Sequence, residues 1–114
     1  MKKKIKEAWI KRLRSGRYKQ GTGVLRDGSN KYCCIGVLCT IINPNIRWNL
    51  SNNKDYYTPS GNTDDGLICS NTGLSKDNLK RAGISNEEQD ELIRLNDDEG
   101  RNFLEIADHI EKNL

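Results

Sequence analysis

Apolar positions recur at helical spacing near the start of the chain. Ile5, Ala8, Trp9 and Leu13 fall at offsets 0, 3, 4 and 8, and Lys or Arg fills most of the opposite face. That period predicts an amphipathic helix over residues 3–15. Gly16 supplies a stop, because glycine takes a left-handed conformation at low cost. The stretch "YKQGTGVLRDGSNKYCC" then reads as a β-hairpin: Val24 and Leu25 open an apolar run, Asp27-Gly28 is a turn signal, and Tyr32 restarts the strand. From Cys34 the run is apolar throughout, so periodicity alone does not assign it. The β-branched Ile35, Val37, Ile41 and Ile42 favour a strand. Cys34, Val37, Leu38 and Ile41, at offsets 0, 3, 4 and 7, instead make a helical face. We expect a buried helix over residues 35–43, and Asn43-Pro44 ends either element.

Residues 43–73 are rich in Asn, Ser, Asp and Gly. They read as a polar, loop-rich insertion with two short strands, near residues 46–50 and 55–58. A polar segment of this length is functional or mobile. The last third is helical. Ser75 caps one helix, with Leu74 placed to staple onto Leu79, and Gly83-Ile84 closes it. Ser85 with Glu88 forms a capping box for a second helix, which exits at Gly100. Asn102 with Glu105 forms another box. Behind it Phe103, Ile106, Ala107, Ile110 and Leu114 lie on one stripe. The expected fold is a single α+β domain over residues 1–114. It has an N-terminal amphipathic helix, a small antiparallel sheet or hairpin, a buried central helix and a C-terminal group of three helices.

Composition narrows this picture. Leu, Ile, Val and Phe make up 25 of 114 residues, just above the level at which chains stay disordered, so the core is small and self-association is compatible with it. The net charge of +3 is unevenly spread: residues 1–31 carry +9 and residues 85–114 carry −7. Two readings follow. The ends pack together and neutralise, or one end faces a partner of opposite charge. Lys6, Glu7, Lys11 and Arg12 interrupt any signal-peptide core, and no stretch approaches a membrane span. The chain is expected to be cytoplasmic, with no membrane partner and with reduced thiols.

The four cysteines are Cys33, Cys34, Cys39 and Cys69. Structural zinc sites use two short-spaced pairs, and here the spacings are C-C and C-x4-C, so metal is not expected. A nucleophilic cysteine needs a base. The sole histidine, His109, lies on an acidic helix. The thiols are expected to pack as small hydrophobes. Asp64-Asp65 lies in a polar loop and no serine sits in a nucleophile elbow, so neither an enzymatic centre nor a cofactor is expected.

The "QGTG" glycines follow a helix, the reverse of the strand–loop–helix order of a phosphate cradle, and turn chemistry accounts for them. In "RSGRYKQGTGVLR", Arg14, Arg17, Lys19 and Arg26 flank Tyr18, with Gln20 nearby. Such interleaving can neutralise phosphates and stack a base; the competing reading is a packed Tyr18 among solvated charges. These six residues are the candidate partner-binding set. "FLEIADHI" is similar to the middle helix of a helix-turn-helix, but Glu105, Asp108 and Glu111 would repel phosphates.

The segments "WIKRLRSGRYKQGTGVL", "YCCIGVLC", "LIRLND" and "FLEIADHI" together resemble a family of small, uncharacterised bacteriophage and prophage proteins. The resemblance covers both ends of the chain and not residues 43–73. It implies a phage-encoded accessory protein that works by binding, with a host protein or a signalling nucleotide as partner and counter-defence as the purpose. A nucleotide or nucleic-acid binding module, using the basic N-terminal segment, is the alternative.

Overall fold

The computed structural model describes residues 1–60 and 72–114. In chain order the elements are α1 (Lys3–Arg14), β1 (Lys19–Gln20), β2 (Lys31–Tyr32), α2 (Cys34–Ile42), β3 (Arg47–Leu50), β4 (Tyr57–Ser60), α3 (Lys76–Ala82), α4 (Asn86–Asp97) and α5 (Phe103–Asn113). The α+β expectation is met, with the helices grouped around α2.

The ambiguous apolar run is a helix, one residue earlier than expected. Cys33 is its N-cap, in extended conformation, with its sulfur accepting from the Gly36 N–H. Cys34, Ile35, Val37, Leu38 and Cys39 are fully buried, as a helix apolar on every side must be. It packs against α1, α3 and α4. One approach is close enough to exclude a side chain: a Cβ on Gly36 would overlap the Leu25 carbonyl.

α1 buries Trp9, Ile10 and Leu13 and lies along α5. Arg14 reaches Asp108 at 2.8 Å and Glu111 at 3.2 Å, and the Lys6 ammonium donates to the Glu111 carbonyl at 3.2 Å. Basic front and acidic back therefore do meet, with Arg14 making the ion pairs.

The local signals of the last third operate as read. Ser75 caps α3. Gly83 is left-handed, and the N–H groups of Gly83 and Ile84 bond back to Lys80 and Leu79, which is the Schellman pattern. Both capping boxes, Ser85 with Glu88 and Asn102 with Glu105, are formed.

The sheet differs from a simple hairpin. Asp27 to Asn30 make the expected turn, and Arg26 bridges antiparallel to Tyr32. β1, however, pairs parallel to β2, with Lys19 opposite Lys31 and Gln20 opposite Tyr32. The chain doubles back between them, through left-handed Gly23, before the hairpin begins. β3 and β4 form the two strands expected in the polar middle, antiparallel, with Trp48 opposite Pro59 and Leu50 opposite Tyr57. They join the hairpin through an Asp27–Tyr56 bridge and through the bond from the Tyr57 N–H to the Arg26 carbonyl at 2.9 Å. The expectations for Asp64-Asp65 and Cys69 lie outside the described residues.

Candidate functional site

Cys33, Cys34 and Cys39 are sealed in the core. Burial pushes the Cys33 thiol up to about 11, and its neighbour Cys34 well above the usual range, with burial again the main cause. The Cys34 thiol donates to the Leu92 carbonyl at 3.7 Å. A thiol protonated at neutral pH is a poor nucleophile. Among the described residues no three Cys, His, Asp or Glu side chains gather as metal ligands.

Asn96, in "LIRLND", is fully buried on α4. Its Oδ1 accepts from the Gln20 side chain at 2.9 Å and from the Cys34 N–H at 3.2 Å. Its Nδ2 donates to the Gly21 carbonyl at 2.9 Å and to Asp97 at 2.8 Å. Gln20 also donates to the Arg101 carbonyl at 2.6 Å. One amide thus ties the start of the sheet, the start of α2 and α4 together. A second such tie is the Trp9 indole, which donates to the Cys34 carbonyl at 3.0 Å. Much of the patterned sequence is consumed in holding the fold.

The aromatic residues of the sheet gather around Arg26. Its guanidinium lies 4.0 Å from the centre of the Tyr57 ring, 5.3 Å from Tyr32 and 5.5 Å from Trp48. Tyr32 meets Tyr18 edge-on at 5.1 Å and Trp48 edge-on at 5.9 Å. All four rings are half-buried. Burial raises the Tyr32 hydroxyl pKa, and the Arg26 charge opposes that rise. Arg26 donates to the Asn30 side chain at 2.6 Å, while its Nε–H is buried with no acceptor. Among the described residues no carboxylate pairs with it.

The six candidate residues therefore divide. Tyr18 and Arg26 converge through Tyr32. Gln20 turns inward to Asn96, and Arg14 is held by α5. Lys19 is exposed and, beside Lys31, projects to the other face of its strand pair from Gln20 and Tyr32. Arg17 is exposed. Tyr32, Trp48 and Tyr57 belong to the cluster and were not in the candidate set. Trp48 and Tyr57 sit on alternating strands of the polar middle, a signal for strands but not for which hairpin they join.

A concavity of about 260 Å³ lies between α4 and α5, with Glu87, Glu91, Leu92, His109 and Leu114 in its lining. Arg94 holds the Glu91 carboxyl below its usual range.

The model of a family described as a domain of unknown function (DUF8296) matches residues 1–114. No curated protein and no solved structure matches the chain.

Proposed function

We propose, for a chain that belongs to the DUF8296 family, a role as a phage-encoded, non-enzymatic binding protein that inhibits a host factor by occupying it, in the service of counter-defence. One observation carries the reading. Arg, Trp and Tyr are the residue types that concentrate energy in interfaces, and here one Arg, one Trp and three Tyr form a single half-buried cluster. The sealed Cys33 and Cys34 support binding over sulfur chemistry.

The test is recovery of a partner from host lysate by the tagged chain. A stoichiometric protein held by the wild type and lost by a Trp48→Ser variant that still melts cooperatively is the expected result. Recovery of no stoichiometric protein would overturn the reading.

The nucleotide reading is favoured by a separate observation, the Arg26 guanidinium set among aromatic rings and, among the described residues, without a carboxylate partner. Salt separates the two. Phosphate-dominated affinity falls steeply between about 50 and 200 mM salt, whereas an interface with an apolar centre weakens less.

A further inference from the structure

A guanidinium carries five N–H donors and a charge that protein interiors normally pair with a carboxylate. Among the described residues, Arg26 satisfies one of these donors through a neutral acceptor, the Asn30 amide at 2.6 Å. Its Nε–H is buried without an acceptor, and a buried donor left unmade needs an explanation. The cation is held instead by the faces of Tyr57, Tyr32 and Trp48. Cation–π contact fixes the plane of the group but leaves its hydrogen-bonding edge unspent. Asn30 is exposed, so that edge opens toward solvent where Asn30 now sits.

We propose that the edge of Arg26 at Asn30 binds the phosphate of a nucleotide, displacing the Asn30 amide, with the base lying against the surrounding Tyr and Trp rings. A planar guanidinium matches a phosphate through paired charge-assisted bonds. Half-buried rings offer a base an apolar wall. The exposed Lys19 and Lys31 lie on the opposite face of the strand pair and contribute only long-range attraction for an anion. The inference rests on the nucleotide reading and adds to it the site and the group recognised.

Trp48 reports on the site directly, because its ring lies 5.5 Å from the guanidinium while Trp9 is fully buried. The experiment follows tryptophan emission while a nucleoside monophosphate, the nucleoside without phosphate, inorganic phosphate and a short oligonucleotide are added in turn. Saturable quenching by the monophosphate is expected, with the bare nucleoside weaker on the order of tenfold or more. Arg26→Gln should weaken the monophosphate by a similar factor. Asn30→Asp is the second variant: it sets a carboxylate against the guanidinium, so the melting temperature should hold or rise while binding is lost. Asp tolerates the left-handed backbone that Asn30 adopts.

Binding unchanged by both substitutions would overturn the site and leave the nucleotide reading standing. No response to any probe would overturn both. Inorganic phosphate binding as tightly as the monophosphate would overturn the assignment to a nucleotide. An oligonucleotide preferred increasingly with length would overturn it in favour of single-stranded nucleic acid.

Discussion

Replacing Asn96 by Ala removes both ends of the amide that joins three parts of the fold. The Cys34 N–H, at the first turn of α2, loses its acceptor, and the buried Gly21 carbonyl loses its donor. Each group left unpaired costs about 1–3 kcal/mol. Gln20 keeps its bond to the Arg101 carbonyl, so its loss adds about 1 kcal/mol or less. The sum is about 2–7 kcal/mol, against a total stability of about 6–17 kcal/mol for a chain of this length. At a slope of about 1.5 kcal/mol per molar, urea unfolding followed by tryptophan emission reads this as a fall in midpoint of about 1–5 M at unchanged slope. Gln20→Ala leaves the Cys34 and Gly21 bonds intact and should cost only about 1 kcal/mol. The double variant should then fall short of the sum of the singles, since Gln20 and Asn96 share a bond. A loss below about 1 kcal/mol for Asn96→Ala, at unchanged slope, would refute the claim that this amide is structurally central.

Gly36→Ala should cost about 2–4 kcal/mol despite the better helix propensity of Ala, because the new methyl overlaps the Leu25 carbonyl; a thermal melt by circular dichroism checks it. Cys33 and Cys34 titrate higher in the folded chain than unfolded, so the folded state holds more protons in alkaline solution. Stability is full below pH 9 and falls as pH rises toward 11, by about 1.4 kcal/mol per pH unit for each thiol; the gap between the urea midpoints of the wild type and Cys33→Ala should narrow across that range. Arg14→Ala should lower the melting temperature less than Gln20→Ala does, and the Arg14→Ala effect should itself vanish near about 1 M salt, because the pairs with Asp108 and Glu111 are exposed.

The features legible in the sequence are those whose cause lies within a few residues. Ser85 and Glu88 specify a helix start between themselves, as do Asn102 and Glu105, and Gly83 specifies an end. The helical stripe of α1 was visible for the same reason, although Ile10 beside it is also buried. The parallel pairing of β1 with β2 was not, because it depends on where the chain turns at Gly23 and on the capture of Gln20 by a residue 76 positions later. Arg14 illustrates the limit in the candidate site. It stands among cations in the sequence, yet its side chain is claimed by α5, 94 positions away. Arg26 and Tyr18 stand out in the sequence because basic and aromatic types together suggest recognition. Trp48 and Tyr57 do not stand out, because only strand pairing brings them to Arg26.

The burial of α2 on every side has a consequence for synthesis. Its apolar surface emerges from the ribosome well before α3, whose helix helps cover it, and before Asn96, whose amide fixes its first turn. At about 5–20 residues per second, the 54 positions from Ile42 to Asn96 take roughly 3–11 s. During that interval the greasiest stretch of the newborn polypeptide has no finished shelter. Slow codons or a failing chaperone in that window should send more product into aggregates than the same delay imposed before residue 34.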